Sequence, residues 1–456
     1  MMSNREFKIL SPTAILGYGF PESSFLQGIK ENPDLIAVDA GSVDPGPYYL
    51  GSGKSFTDRV GVKRDLRIML REAIPRKIPV IIGSAGGSGA KPHLDWCEQI
   101  IREIARQERL SFKMGIIPAD IDKSLVCKSI QENKIHPLCK NKPLTEQTVE
   151  ETSYIVAQMG TEPFVEALRQ DCRVILAGRA YDPAGFAALP VLLGYNPALA
   201  IHLGKILECA AIAAQPGSGA DCALGILKEN SFVLKPLNMK RSFTRTSVAA
   251  HSLYEKSDPY CLPGPGGALD LREVEFTEIG DGQVEVKGTH FIPANPYTLK
   301  LEGARQVGYR TVSIAGSRDP VMIAGINSIL KAVEMHVKEI LENEKIDGYV
   351  NTHIYGKNAV MGELEPNPSI TSHEIGILLE AVGKTQENAN TICSIMRSTL
   401  LHYGYPGRIS TAGNLAFPFS PSDIQTGAVY EFSIYHLMEV SQDQLKRLFP
   451  ESVVQI

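Results

Sequence analysis

The sequence has few of the features that mark nucleic-acid-binding, membrane or secreted proteins. Aromatic residues make up 7% of its 456 residues, there is a single tryptophan, and the formal net charge is −5. A surface that binds nucleic acid needs clustered basic residues, which this charge balance does not favour. No apolar run approaches the length of a membrane span, and the first residues do not have the pattern of a signal peptide. We therefore expect a cytoplasmic protein with no nucleic-acid or membrane partner.

Several diagnostic motifs are also missing. The eight cysteines are scattered and none forms a Cys-x-x-Cys pair, which argues against a zinc ribbon or a thioredoxin motif. Most of them are expected to be small buried side chains in a reducing compartment. Cys209 and Cys261 lie in polar segments, so thiol catalysis with His202 or His251 stays open. There is no P-loop, no Gly-x-Gly-x-x-Gly and no Gly-x-Ser-x-Gly after a strand, so these nucleotide and serine-hydrolase signatures are absent.

The alternation of apolar and polar segments predicts an α/β fold. Through the first half, short apolar segments alternate with helical patterns, which indicates a mostly parallel, doubly wound sheet. We recognise about five such units, and a (β/α)-barrel would need eight. From residue 224 the pattern changes to hairpin-like strands, which is typical of antiparallel α+β structure. We predict an α/β domain at 1–223, an α+β substrate domain at 224–346 and a small α+β domain at 347–456.

Periodicity also predicts individual elements of the C-terminal part. The spacing of apolar residues predicts helices over 321–346, 372–381 and 385–401. A strand is predicted over 348–355. Near the middle of the first domain, residues 123–150 are polar with little periodicity, and we expect an excursion or a lid there.

One glycine-rich stretch, residues 78–90 (IPVIIGSAGGSGA), organises the first domain. It predicts an apolar strand, a tight turn and the start of a helix. Such a turn directs backbone N–H groups and a helix N-terminus at one place, where an anion can bind. We expect Gly86, Gly87, Ser88 and His93 to bind a phosphate or carboxylate of the substrate. The alternative is a plain connection between strand and helix.

Two acidic residues, Asp39 and Asp44, follow the strand predicted at 35–38. A carboxylate at the end of a strand, followed by a Gly/Pro loop, is typical of an active-site edge. Aspartate, glycine and proline also form ordinary turns, so a structural role is the alternative. No residue spacing is diagnostic of a metal, and no cofactor is required. If a divalent metal such as Mg²⁺ binds, Asp39 and Asp44 are its predicted ligands.

Arginines in predicted loops are candidates for substrate binding. The planar guanidinium of arginine binds carboxylate or phosphate with paired hydrogen bonds, which suits an anionic substrate or the phosphates of CoA. We assign Arg179 and Arg310 to substrate binding, together with Asp182. The alternative is that Arg179 pairs with Asp182 and has no contact with substrate.

Two further groups carry acid–base side chains. His202, Lys205 and Cys209 share one predicted helix face, on which Lys205 is a candidate catalytic group and a solvated face is the alternative. His251 lies close to Glu255, and a histidine near a carboxylate can act as a general base around neutral pH.

Several separate segments within residues 10–345 resemble the acyclic terpene utilisation family of AtuA-like proteins. They are 38–51 (VDAGSVDPGPYYLG), 176–188 (LAGRAYDPAGFAA), 202–209 (HLGKILEC), 247–255 (SVAAHSLYE), 308–311 (GYRT) and 318–320 (RDP). The C-terminal part is only loosely similar to the small domain that accompanies this family. The resemblance implies a cytoplasmic catabolic protein from a pathway that degrades branched isoprenoid acids as CoA thioesters. A lyase- or hydratase-type step has been proposed for the family.

The combined expectation is an enzyme of the lyase, hydratase or isomerase type. It would abstract a proton from an acyl-CoA thioester or a polycarboxylate, with His251, Lys205, Glu255 and Asp39 as catalytic groups. One alternative is a non-catalytic acyl-CoA-binding subunit of a degradation complex. Another is a cysteine-dependent hydrolase or acyl transferase. We also expect the protein to form a homo-oligomer and to act on a small-molecule substrate.

Overall fold

A computed structural model describes residues 6–254, 258–367, 369–409 and 412–456. The chain divides into two compact units. The first contains residues up to Arg305 together with Phe432–Ile456, and the second is Gln306–Glu431. The predicted boundary after residue 223 lies inside the first unit, because the strands that follow it pair with the N-terminal strand.

The first unit is built on a ten-stranded sheet. Its strands, in spatial order, are β12 (Glu275–Gly280), β13 (Gln283–Lys287), β9 (Ser231–Pro236), β8 (Ala223–Leu227), β1 (Phe7–Ser11), β2 (Leu35–Asp39), β3 (Val80–Gly83), β7 (Val174–Ala177), β4 (Lys113–Ile117) and β19 (Ser452–Gln455). The five central strands, β1, β2, β3, β7 and β4, are parallel to one another. The remaining strands extend the sheet on either side through antiparallel pairs.

Helices cover both faces of this sheet. They are α1 (Glu22–Lys30), α2 (Pro47–Ser52), α3 (Arg59–Ala73), α4 (Lys91–Glu108), α5 (Lys123–Gln131), α6 (Glu146–Glu151), α7 (Glu162–Arg169), α8 (Ala184–Leu192), α9 (Pro197–Leu207), α10 (Arg245–Leu253) and α13 (Gln442–Leu448), with a 3-10 turn at Ala210–Ala213. Residues 123–150, predicted to be an excursion or lid, thus hold two short helices and the strand β5 (Ile135–Pro137).

Alternate residues of the central strands enter two different cores. In β2, Leu35 and Ala37 pack with α8 and α9, whereas Ile36 and Val38 pack on the other side of the sheet. Side chains alternate between the faces of a strand, so a strand covered on both sides must be apolar throughout. This explains why β2, β3 and β7 read as continuous apolar runs, and it confirms the predicted α/β class with a doubly wound parallel centre.

Smaller sheets complete the first unit. One joins β10 (Cys261–Gly264), β11 (Gly267–Asp270) and β14 (His290–Pro293). The long strand β15 (Tyr297–Ser317) pairs at its start with β6 (Tyr154–Ala157), and the end of β18 (Asp423–Val440) pairs with β5. The antiparallel pairing of β8, β9, β12 and β13 confirms the hairpin-like character predicted for the middle of the sequence.

The second unit contains the rest of β15 and β18, with β16 (Gly348–Tyr355), β17 (Ile375–Gly383), α11 (Pro320–Asn343), α12 (Gln386–His402) and a 3-10 turn at Gly362–Leu364. Apolar side chains of α11, α12 and β17 form its core. The prediction of a helix over 372–381 is wrong. Most of that segment belongs to β17, in which the buried residues Ile375, Ile377 and Leu379 recur at every second position, as the face of a strand requires.

Candidate functional site

Polar side chains gather where the central parallel strands end. Asp39 is the last residue of β2, Ser84 follows β3, and Arg179 lies two residues after β7. Since the carboxyl ends of parallel strands meet at one edge of the sheet, residues distant in sequence become neighbours there. Arg179 Nη1 donates to Ser84 Oγ at 3.1 Å, which joins the ends of two strands.

Arg179 is buried and is held almost entirely by protein acceptors. Its Nε donates to Glu302 at 2.7 Å, and Nη1 also donates to the Ala180 carbonyl at 2.9 Å and to Asp182 at 3.4 Å. Gln158, with its amide oxygen turned towards the cation, accepts from Nη2 at 2.6 Å. Arg179 therefore positions its neighbours, and direct contact with substrate stays a prediction.

Glu302 binds two cations at once. Its carboxylate is fully buried on β15, where one oxygen accepts from Arg179 and the other lies 2.8 Å from Lys300 Nζ. Burial acts to raise the pKa of Glu302, but the charges of Arg179 and then Lys300 outweigh burial and lower it. Lys300 also lies 4.8 Å from the centre of the Tyr435 ring. We call Asp39, Arg179, Asp182, Lys300 and Glu302 the acid–arginine group.

The pKa values of the two aspartates of this group are shifted in opposite directions. Burial, and then the negative charge of Asp182, raises the pKa of Asp39 well above its usual value. Burial also acts to raise the pKa of Asp182, but Arg179, Lys205 and Lys300 together lower it. Asp39 Oδ1 is buried and has no hydrogen-bond partner among the described residues, whereas the Asp182 side chain is 26% exposed. Of the two, Asp39 therefore holds a proton more readily, and Asp182 is the accessible carboxylate.

A second cluster lies at the ends of α9 and α10. Lys205 Nζ donates to Glu208 at 2.7 Å, and the Cys209 thiol donates to the other oxygen of Glu208 at 3.1 Å. The Tyr254 hydroxyl lies 3.5 Å from Cys209 Sγ, and its ring stacks on His251 at 4.7 Å between centroids. We call these five residues the thiol–imidazole group. It adjoins the acid–arginine group: Lys205 lies close enough to Asp182 for its charge to lower the pKa of that carboxyl group.

Burial sets the ionisation of the thiol–imidazole group. It acts to lower the pKa of Lys205, but Glu208 and Asp182 raise it overall, so the amine is a cation. Burial, and then Glu208, raises the pKa of Cys209, so the thiol keeps its proton. Burial, and then Lys205, lowers the pKa of His251 to about 4, so its ring is neutral at pH 7. Within the described part of the chain, the buried Nε2 of His251 has no hydrogen-bond partner.

His202 and Lys205 are both buried on α9 but have different hydrogen-bond partners. His202 is fully buried, its ring nitrogens lie 2.7 Å from Thr289 Oγ1 and 3.1 Å from Ser252 Oγ, and its ring contacts Phe232. Burial lowers its pKa to about 3. His202 is therefore a core residue, and the predicted solvated face is also wrong for Lys205, which is buried.

The glycine-rich turn is packed against protein on all sides. Residues 83–90 are buried, and the amides of Gly87 and Gly89 donate to the carbonyls of Ser84 and Ala85. At Gly89, with φ +67°, a Cβ atom would lie 2.1 Å from the Arg179 nitrogen, so only glycine allows this approach. The turn thus brings β3 and β7 together, and anion binding by Gly86, Gly87 and Ser88 stays a prediction.

The other predicted residues have separate environments. His93 Nε2 lies 3.1 and 2.9 Å from the carbonyls of Tyr49 and Lys54, inside the protein. Arg310 belongs to the second unit, where it pairs with Glu380 at 2.5 Å. Asp44 is exposed in the turn after β2, unlike the buried Asp39. Glu255 lies outside the described residues.

Among the described residues, three potential metal ligands lie together. Glu208, Cys209 and His251 each offer one donor atom, and these atoms lie within 4.8 Å of one another. This set differs from the predicted pair Asp39 and Asp44.

Lys300 and Glu302 were not predicted from the sequence as site residues. They are separated by one residue on a strand whose neighbouring leucines are buried, so both charges point to one face. Two charges of opposite sign on a buried strand face were the available signal.

A cavity of about 670 Å³ lies in the first unit. Its wall includes Tyr181, whose buried hydroxyl has no partner among the described residues, and the hydrogen-bonded pair Glu162 and Tyr297. Tyr181 directly precedes Asp182 in the sequence, but the five residues of the acid–arginine group are not part of the lining. Its volume is in the range of sites for small organic molecules.

Comparison with known proteins identifies a family for the chain. The family model described as "Acyclic terpene utilisation family protein AtuA" matches residues 58–220 and 227–439. No curated protein and no solved structure matches the chain. Among the described residues, no helix combines the length and apolar character that a membrane span needs.

Proposed function

Because the chain belongs to the acyclic terpene utilisation family AtuA, we propose that it is a catabolic enzyme for a small anionic compound. The proposed reaction is the removal of a proton next to a carboxylate or thioester carbonyl, as in a lyase, hydratase or isomerase. The observation that carries the proposal is the pair Asp39 and Asp182. Their pKa values are displaced in opposite directions within one site.

Two neighbouring carboxyls in opposite protonation states can divide the work of proton transfer. Asp182 is ionised and partly exposed, so it can accept a proton from carbon. Asp39 is protonated and can return a proton within the same site. This assignment moves the base from Lys205, since Lys205 is a cation that has no lone pair to offer. A role of His251 as the base stays a prediction.

Three cations would stabilise the charge that develops on the substrate. Lys205, Lys300 and Arg179 all act on Asp182, and each is buried or half-buried. Loss of a proton next to a carbonyl leaves negative charge on its oxygen, which fixed cations stabilise most strongly where water is excluded. The same charges favour an anionic substrate over a neutral one.

A cysteine-dependent hydrolase is less well supported. Thiolate, not thiol, is the nucleophile, and both burial and the adjacent Glu208 raise the pKa of Cys209. A non-catalytic acyl-CoA-binding subunit stays an outcome of the experiment below. We further propose that the protein is cytoplasmic and homo-oligomeric, as expected from the sequence.

The test begins with binding and ends with proton exchange. The full-length protein is screened by thermal shift against CoA, acetyl-CoA, isovaleryl-CoA, malate, succinate and citrate. A ligand at a hundred times its dissociation constant adds about 2.7 kcal/mol of stability. Compounds that bind are then incubated with the protein in D₂O, and deuterium next to the carbonyl is measured by NMR.

We expect exchange that depends on the protein and falls at least about a hundredfold in Asp182→Asn. Asp44→Asn is the matched control, because Asp44 is exposed in a turn, and it should exchange at the wild-type rate. Binding without exchange would overturn the proton-transfer proposal and support a binding subunit. Absence of binding by all six compounds would count against both substrate classes.

A further inference from the structure

Glu208, Cys209 and His251 have the geometry of an incomplete metal coordination shell. Their donor atoms lie within 4.8 Å of one another, and Cys209 Sγ is 3.1 Å from Glu208 Oε2. Ligand atoms around a tetrahedral zinc ion are about 3.5 Å apart, given metal–ligand distances near 2.0–2.3 Å. Small side-chain adjustments would therefore bring all three donors onto one ion.

The imidazole gives an independent indication that something binds here. His251 is only 8% exposed, and its buried Nε2 has no hydrogen-bond partner among the residues that the structure describes. Buried polar atoms are nearly always paired, so an unpaired nitrogen beside a thiol and a carboxylate calls for a ligand. We propose that Glu208, Cys209 and His251 bind a zinc ion.

Neighbouring residues orient the three ligands. Lys205 holds one oxygen of Glu208 at 2.7 Å, which leaves the oxygen next to Cys209 available for the metal. Tyr254 supports the other two ligands, because its hydroxyl lies 3.5 Å from Cys209 Sγ and its ring stacks on His251. Such outer contacts fix the orientation of metal ligands and raise affinity. Lys205 is an adverse charge, and the carboxylate and thiolate offset it.

The ligand types select the metal. Thiolate and imidazole suit Zn²⁺, whereas Mg²⁺ and Ca²⁺ prefer oxygen ligands. On binding, the Cys209 S–H bond is replaced by an S–Zn bond and the proton passes to the solvent buffer. Three protein ligands leave a fourth position for water or a substrate oxygen, which is the pattern of catalytic zinc sites. This inference does not depend on the proposed proton transfer.

Direct binding tests the site. The full-length protein is treated with a chelator, dialysed and titrated with Co²⁺, whose thiolate complexes absorb in the near ultraviolet, and then with Zn²⁺ and Mg²⁺. We expect one Co²⁺ per chain with a thiolate charge-transfer band, displacement by Zn²⁺ and no displacement by Mg²⁺. Cys209→Ser and His251→Gln should each lower the affinity by at least about a hundredfold, and Tyr254→Phe by about tenfold.

Cys139→Ser is the matched control, since Cys139 is exposed and lies apart from the group, and it should bind like the wild type. A Co²⁺ complex without the charge-transfer band, or equal affinity in Cys209→Ser, would overturn the proposal. If the variants fail to fold, Zn²⁺ protection of Cys209 from alkylation in the wild type decides the question by mass spectrometry. Equal alkylation with and without Zn²⁺ would contradict the site, whatever the outcome of the exchange experiment.

Discussion

Replacing Glu302 by glutamine should destabilise the first unit strongly. Glu302 is fully buried and neutralises Arg179 at 2.7 Å and Lys300 at 2.8 Å. Glutamine keeps the shape of the side chain but leaves two cations without their carboxylate. Removing one partner of a buried ion pair costs about 3–5 kcal/mol, because the remaining charge stays desolvated.

The single tryptophan offers a convenient probe of this effect. Trp96 lies in α4 of the first unit, so its fluorescence follows unfolding of that unit in urea. If the free energy of unfolding falls by about 3 kcal/mol per M urea, a loss of about 3–5 kcal/mol in stability lowers the midpoint of the urea unfolding curve by roughly 1–2 M.

Glu103→Gln is the matched control. Glu103 also binds two cations, Arg59 at 2.7 Å and Lys63 at 2.5 Å, but these pairs are at the surface. Solvent screens such pairs, so the midpoint should hardly change. Equal midpoint shifts in both variants would refute the reasoning, since burial would then not decide the cost. A Glu302→Gln protein with the wild-type midpoint would refute it as well.

Three further predictions use the same urea assay. Gly89→Ala should cost more than about 1 kcal/mol, because its Cβ would meet the Arg179 backbone at a positive φ. Gly219→Ala, in the same unit, should be nearly neutral, because its Cβ would make only ordinary contacts at 3.5 Å; equal effects would contradict the close approach. The loss of unfolding free energy caused by His202→Gln should shrink by roughly 3 kcal/mol as the pH falls from 6.5 to 4. The pKa of His202 in the folded protein is about 3, so in this pH range only the unfolded wild-type chain takes up the proton, which destabilises the wild type but not the variant. A loss that is constant with pH would contradict the assigned pKa. Asp39→Asn should cost less stability at pH 7 than Asp182→Asn, because burial raises the pKa of Asp39, whereas Asp182→Asn removes a carboxylate from three cations. The reverse order would contradict the assigned directions of the two pKa shifts.

The sequence predicted the centre of the fold because burial on both faces leaves a clear pattern. Strands β2, β3 and β7 are continuous apolar runs, and the strand predicted at 35–38 agrees with β2 to within one residue. The error at β17 has a physical cause. Its residues Ile375, Ile377 and Leu379 repeat with a period of two. Leu378, however, forms an i, i+3, i+4 set with Ile375 and Leu379, which allowed a helical interpretation.

The candidate site could be predicted only in part. Asp39, Arg179 and Asp182 were found because each follows a strand, and strand ends meet at one edge of a parallel sheet. Lys300 and Glu302 come from β15, far along the chain, and only the antiparallel pairing with β6 brings them to that edge. The proximity of His251 to Cys209 results from the packing of α10 against α9. No local sequence pattern encodes that packing.

Deuterium exchange in D₂O, with the compounds that bind to the full-length protein, tests the central claim most directly. The account predicts that the wild type and Asp44→Asn incorporate deuterium next to the carbonyl, and that Asp182→Asn loses at least about a hundredfold in rate while still binding the compound. An exchange rate in Asp182→Asn equal to that of the wild type would contradict the assignment of the base. Binding without any exchange in the wild type would contradict proton abstraction itself.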